Sequence, residues 1–252
     1  MSKPFLLAQL TDPHIGAAWF DDQSVPRLAA AVESVRAVRP QPDAVLLSGD
    51  IAHHATDEEY ARVRELLEPL GPVHVLPGNH DDRRALHRHF GVPGADGEPV
   101  RYTVDLGPLR LVVLDTTIPG EDAGALGAEQ LEWLDGQLAA APEQLTLIGM
   151  HHPPLVTGVP AWDELGLAEP DRLALGEVIE RHAQVRRLAC GHLHRTMSGE
   201  LAGCGVVVAP STYVQMRPAF LADELELTAE PAGFVLHAVV EGELISHVQT
   251  VC

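Results

Sequence analysis

The sequence predicts an α/β fold with a mixed two-sheet core and helices outside. Three observations carry this. Strand-like and helix-like runs alternate through the first half of the chain, β-hairpins dominate after Gly191, and five short runs of Asp, Asn and His each follow a strand-like run. Strand ends in an α/β sheet converge on one rim, so side chains distant in sequence meet there. A length of 252 residues suits one large α/β domain, with the tail of about 205–252 belonging to it.

The first strand is expected over 5–10, an apolar run closed by Thr11-Asp12. A helix over 28–38 follows, with Leu28, Ala31, Val32, Val35 and Val38 at helical spacing and Pro40 as its stop. Strand 44–47 precedes helix 56–67, which opens on Thr56-Asp57-Glu58-Glu59, a capping-box pattern, and carries Tyr60, Val63, Leu66 and Leu67 as its apolar stripe. Strand 73–76 leads to a short helix over 82–90. Strands 102–106 and 109–114 are joined by Gly107-Pro108 as a hairpin. Helix 128–138, strand 145–148, helix 173–182 and strand 185–189 come next. The irregular stretch 158–170 between them directly follows a His pair, where long ordered loops carry function. Strands 205–209, 234–240 and 244–248 complete the chain, the last two turning at Glu241-Gly242. There is no internal repeat and no low-complexity linker.

Composition narrows the function. Seventeen basic against thirty-six acidic residues give a net charge of −19. That disfavours nucleic-acid polymers and anionic membranes as partners, because both reward clustered Lys and Arg. Cys190, Cys204 and Cys252 lack zinc-type spacing and read as free thiols of a reducing compartment, with Cys190 weighed as a ligand beside His192. The apolar run 5–10 is too short for a signal peptide and no segment reaches 18 apolar residues, so a cytoplasmic protein is expected. Of fourteen histidines, His53, His54, His87, His89, His182, His237 and His247 read as surface or helix residues.

The remaining histidines fall within or beside the five islands: Asp12-Pro13-His14, Gly49-Asp50, Gly78-Asn79-His80-Asp81, His151-His152 and Gly191-His192-Leu193-His194. Each island alone is weak. Gly-Asn-His suits a sharp turn that aims side chains at a site, and His-x-His on an extended segment puts two imidazoles on one side. In this order, each after a strand, they point to a metal centre for chemistry on phosphate. Arginines are sparse, so bound metal ions would supply the positive charge that an anionic ester needs.

These five blocks, in order between residues 12 and 194, resemble the signature of the calcineurin-like metallophosphoesterase superfamily. His151-His152-Pro153-Pro154, with Thr157-Gly158 and Pro160 after it, looks like the bacterial class III cyclic nucleotide and glycerophosphodiester phosphodiesterase branch. Ala209-Pro210-Ser211-Thr212 and the stretch from Pro231 to Phe234 extend the likeness over nearly the whole chain. The resemblance implies a four-layer αββα sandwich with its metal site at the strand C-terminal rim. It implies that Asp12, His14 and His194 hold one metal, that Asn79, His151 and His192 hold a second, and that Asp50 bridges both. His80 would contact the substrate phosphate or donate a proton, so His80 and Asp50 are the catalytic candidates. Asp81 would brace His80, and His152 would point away from the metals.

The implied activity is hydrolysis of small phosphodiesters, 3′,5′-cyclic nucleotides or glycerophosphodiesters, by hydroxide activated between two divalent ions; a phosphomonoesterase and a non-catalytic scaffold are the alternatives. Mixed Asp, His and Asn donors fit Mn or Fe, with Zn or Co also compatible. Substrate contacts are expected from Asn79, His80 and His194, from Arg195 on the leaving group, and from Trp162, which is either an aromatic wall or an anchor for its loop. Tyr213 reads as a packing or interface residue. Relatives' habit suggests a homodimer or larger assembly.

Overall fold

The computed structural model describes residues 3–20, 22–221 and 224–251. Its first sheet holds β1 (Phe5–Leu10), β2 (Ala44–Ser48) and β3 (Val73–Leu76) in parallel, extended by the antiparallel β12 (Gly233–Val240) and β13 (Glu243–Thr250), in the order β13-β12-β1-β2-β3. The second sheet runs β4-β5-β6-β7-β9-β8. Its centre, β5 (Arg110–Val113), β6 (Thr146–Gly149), β7 (Val185–Cys190) and β9 (Cys204–Val208), is parallel, and β4 (Tyr102–Asp105) and β8 (Met197–Leu201) are its antiparallel edges. Among the described residues six helices flank the sheets: α1 (Ser24–Ala37), α2 (Asp57–Leu67), α3 (Arg83–Phe90), α4 (Gly127–Ala139), α5 (Pro160–Asp163) and α6 (Glu169–Glu180). A small two-stranded sheet, β10 (Gln215–Arg217) with β11 (Glu226–Thr228), stands apart.

Strand periodicity builds the layers. Successive side chains on a strand point to opposite faces. Thus Ala44 and Leu46 of β2 join Leu7, Leu111, Val113, Leu147 and Ala189 in an apolar layer between the sheets. Their neighbours Val45 and Leu47 face the other way, onto Leu28, Val32, Tyr60 and Val63 of α1 and α2. Val112, Ile148 and Leu188 of the second sheet likewise pack on Leu134, Leu138, Leu175 and Ile179 of α4 and α6. Three apolar layers separate four layers of secondary structure, as the sequence led us to expect.

The helices end where local chemistry says they should. Thr56 Oγ1 accepts from the Glu59 amide while the Glu59 carboxylate accepts from the Thr56 amide, the reciprocal capping box. Asp82 caps α3 by accepting from the Ala85 amide, and Gly91 closes it in the left-handed conformation at φ 69°. Two helices begin four residues earlier than the apolar spacing suggests. Pro26 and Pro170 sit in their first turns, where no backbone donor is needed, so the starts at Ser24 and Glu169 carry no periodic signal. The stretch 158–170 is not irregular throughout, since α5 and the first residues of α6 lie in it. At the β12–β13 turn, Glu241 (φ 52°) and Gly242 (φ 84°) both take positive φ, matching the twist of a two-residue hairpin. His237 is not a surface residue but a buried one of β12, bonded to Gln9 and Ser246, and His182 is buried beside Asp135.

Cys190 and Cys204 are free and buried, Cys190 in the α4/α6 layer rather than beside His192. Burial pushes both thiols up, that of Cys204 to about 11. Cys252 lies outside the described residues. Among the described residues no helix is long and apolar enough to cross a membrane.

The loops leaving β1, β2 and β3 extend the parallel ladder past the sheet. The Asp12, His14 and Ile15 amides donate to the carbonyls of Gly49, Asp50 and Ile51 at 3.1, 3.0 and 3.2 Å. The approach is close enough that a Cβ on Gly78 would strike the Asp50 amide and carboxylate. Gly78→Ala is therefore expected to destabilise the protein by about 1–3 kcal/mol, as forced overpacking does; a denaturant midpoint equal to that of the parent would contradict this reading of the loops.

Candidate metal centre

All five islands lie just past the C-terminal ends of β1, β2, β3, β6 and β7, on one rim shared by both sheets. Asp12, His14, Asp50, His192 and His194 all adopt positive φ, at 51°, 42°, 50°, 71° and 43°. Non-glycine residues visit this region rarely, and such conformations concentrate at functional sites. The finding corrects the geometric basis for pairing His192 with His194. They do not share a face of an extended segment; each is swung inward by a left-handed backbone.

The donor atoms form two buried groups with one common member. Asp12, His14, Asp50 and His194 make one, and Asp50, His151 and His192 make the other. His14 Nε2 lies 3.0 Å from His194 Nε2 and 3.3 Å from Asp50 Oδ2. His151 Nε2 is 3.4 Å from Asp50 Oδ2 and 3.9 Å from Asp12 Oδ1. Outward-facing ring nitrogens are fixed by carbonyls. His151 Nδ1 donates to Ser48 O at 2.8 Å, His192 Nε2 to Leu165 O at 3.0 Å and His194 Nδ1 to Val214 O at 2.9 Å. At His192 and His194 such bonds settle the tautomer and leave the lone pair facing inward, whereas His151 offers its pair only on giving up a proton. His14 differs, because its Nδ1 faces His53 Nδ1 at 3.4 Å.

Burial and charge set the protonation of the cluster. Burial holds His14, His192 and His194 below the usual imidazole range, so they are neutral donors. Burial raises Asp12 to about 7 against the pull of His151. Burial would raise Asp50 too, but His151 and His14 outweigh it and keep this carboxylate ionised. Burial opposes a proton on His151, yet Asp50 and Asp12 lift it to about 9.

Two atoms test whether a divalent ion fits. Asn79 Oδ1 and His151 Nε2 are both buried with no hydrogen-bond partner. Buried polar atoms of a folded protein normally find partners, and a cation satisfies both, one a carbonyl oxygen and the other an imidazole nitrogen. With neutral imidazoles and carboxylates around them, the donor set suits a divalent metal.

The cluster opens into a cavity of about 240 Å³ lined by His14, Asp50, Asn79, His80, His192 and His194, among others. His80 is half-buried. Its amide donates to Asp50 Oδ1 at 3.0 Å and its Nδ1 to the His53 carbonyl at 3.1 Å. Asp81 does not brace His80. Its carboxylate accepts from the Ile51, Ala52 and Gly78 amides and from Tyr60 Oη, tying the β2 and β3 loops together. His152 points away as expected, bonding Thr116 Oγ1 and the Asp122 carbonyl.

Two of the expected substrate contacts lie elsewhere. Trp162 is 2% exposed in the apolar layer under α4 and α6, so it anchors its loop. Arg195 is held by Glu230 at 2.7 Å and lines a different cavity. The aromatic wall is instead Trp19, tilted over His14 at 4.6 Å and stacked at 5.9 Å on buried Tyr213. Met216, Leu225 and Leu227 of the β10–β11 hairpin form an apolar wall, and Asp122 lies on the rim. His53, assigned to the surface from sequence, stacks on His80 at 4.7 Å. The 158–170 stretch supplies the Leu165 carbonyl that orients His192. Trp19 carries a weak signal, five residues past His14 in the same loop; Asp122 carries none.

Comparison with known proteins agrees with this geometry. The profile of the calcineurin-like phosphoesterase family matches residues 5–196. A probable glycerophosphodiester phosphodiesterase of Arcobacter nitrofigilis is 30% identical over 92% of this chain and 88% of its own length. A 3′,5′-cyclic adenosine monophosphate phosphodiesterase of Pseudomonas aeruginosa is 33% identical over 84% of this chain and 78% of its own. The fold matches that of a dimetal phosphatase from Danio rerio, with a TM-score of 0.77 at 18% identity, covering 99% of this chain and 98% of that one. The chain belongs to the calcineurin-like phosphoesterase family and is a phosphoester hydrolase.

Proposed function

We propose that the chain hydrolyses small phosphodiesters at a two-metal centre, with 3′,5′-cyclic nucleotides or glycerophosphodiesters as the substrate class. The observation that carries this is the pair of buried donor groups sharing Asp50, with the unpartnered Asn79 Oδ1 and His151 Nε2 beside it. Asp12, His14 and His194 would hold one ion, Asn79, His151 and His192 the other, and Asp50 both. Carboxylate, amide and imidazole donors without thiolate favour Mn or Fe. Bound there, the ions would neutralise charge on a phosphoryl group and acidify water at neutral pH.

The chain's own residues supply the rest. His80, with Nδ1 tied to a carbonyl, presents Nε2 to the site; as the imidazolium it would donate from Nε2 to a phosphoryl oxygen or give that proton to the departing alcohol. Trp19, Met216, Leu225 and Leu227 give the organic part of the ester an apolar surface and keep water from it. The names of the relatives, one acting on a cyclic nucleotide and one on glycerophosphodiesters, support the diester reading. The net charge of −19 supports small substrates over nucleic-acid polymers.

Bis(p-nitrophenyl) phosphate should be turned over with higher kcat/KM than p-nitrophenyl phosphate, and a strong preference for the monoester would refute the diesterase reading. Asp50→Ala should abolish turnover and reduce both metals in elemental analysis; normal turnover in this variant would remove the assigned bridge. His80→Ala should lower kcat by roughly 10²–10⁴-fold, the range of a general acid or base, while metal content stays at the parental level. Chelation should lower Tm, and Mn at about 1,000 times its Kd should restore about 4 kcal/mol of stability, whereas an unchanged Tm would argue against ions at this site.

A further inference from the structure

Among the described residues, no lysine or arginine lines the cavity beside the donor cluster. The nearby cations are spoken for: Arg195 pairs with Glu230 at 2.7 Å and Arg83 with Asp115 at 2.7 Å. The cavity does present a carboxylate outside the proposed ligand set, that of Asp122. Asp122 is exposed on the loop between β5 and α4, and no cation is paired with it among the ion pairs of the described residues. Its position is fixed from two sides. Its carbonyl accepts from His152 Nε2 at 3.1 Å, and its Oδ1 accepts from Asn79 Nδ2 at 3.3 Å. A Cβ on Gly124, two residues on, would meet the His152 ring at 2.5 Å, so this loop lies hard against the site.

We propose that Asp122 is a specificity-determining residue that makes the site select phosphodiesters over phosphomonoesters. The inference rests on the diesterase reading and deepens it. A diester carries one negative charge, whereas a monoester near neutral pH carries close to two, its second pKa being about 6. A fixed carboxylate with no compensating cation acts on the additional charge, and because Asp122 is exposed that action is weakened by salt. The amide bond to Asn79 bears on the same site. Asp122 accepts from Nδ2 of Asn79, whose Oδ1 is buried and left without a partner. The same repulsion speeds departure of the monoester product once a diester has been cleaved.

The test uses metal-loaded full-length protein and the variants Asp122→Asn and Asp122→Ser, assayed with bis(p-nitrophenyl) phosphate and p-nitrophenyl phosphate, with metal content measured in parallel. Asn and Ser both remove the charge and keep an oxygen able to accept from Asn79. In each variant the diester-to-monoester ratio of kcat/KM should fall roughly tenfold, mainly through a lower KM for the monoester, and inorganic phosphate should inhibit more tightly. Raising ionic strength should narrow the ratio for the parent and do so less for the variants, an effect that a purely structural role for Asp122 would not produce. An unchanged ratio in variants that retain their metals would overturn the proposal. So would equal losses of metal and of both activities in the two variants, because Asp122 would then act by maintaining the metal centre and not by discriminating between substrates. A parent enzyme that itself prefers the monoester would defeat the diesterase reading and this inference together, which distinguishes that failure from the other two.

Discussion

Everything at this rim follows from burying two carboxylates and several imidazoles together. Asp12 and Asp50 are buried and approach the same His151 nitrogen within 3.9 Å. Desolvated anions that close repel one another and lose their hydration, and only positive charge in their midst compensates. The protein alone provides a proton on His151; the remaining neutral nitrogens face inward and offer electron pairs. The arrangement is poor as a hydrophobic core and well made as a cation receptor.

Such a cluster forms only if the backbone compels it. Ser48 illustrates how: its carbonyl accepts from both His151 Nδ1 and Thr11 Oγ1, so the end of β2 orients donors from both sheets. Asp81 performs the same service for the β2 and β3 loops, and burial with Asp50 nearby holds it at about 6 despite the bonds it accepts. Behind these bonds stands the left-handed backbone at five donor residues, a local cost that the surrounding ladder of hydrogen bonds overcomes.

The layered fold and the composition of the donor cluster were legible in the sequence because both have simple signals. A parallel strand buried on both faces is a continuous apolar run, and the polar residues that break it at the rim stand out. Backbone conformation was not legible: nothing in Gly191-His192-Leu193-His194 announces positive φ, so the extended geometry expected there is not the one the segment adopts. Trp162 and Trp19 show a second limit. Both lie in segments that follow a strand-end island, and only tertiary packing decides which tryptophan meets the apolar layer and which meets the cavity. The β10–β11 hairpin was missed because three-residue strands show no period, and His53 because its neighbours in sequence are those of a surface turn. Arg195 follows a donor directly, yet its long side chain reaches Glu230 instead.

The two sheets contribute unequally to this rim: Asp12, His14, Asp50 and Asn79 come from one, and His151, His192 and His194 from the other. Between the sheets lies a seam of Leu, Val and Ala, crossed by hydrogen bonds from Gln9 Nε2 to the Cys190 carbonyl at 2.9 Å and from Tyr102 Oη to the Val75 carbonyl at 2.7 Å. The seam thereby becomes the gauge of the reaction chamber. A methyl group gained or lost at Leu46 or Leu147, both buried in that seam, would alter how the two plates pack and with it the spacing of the donors they carry.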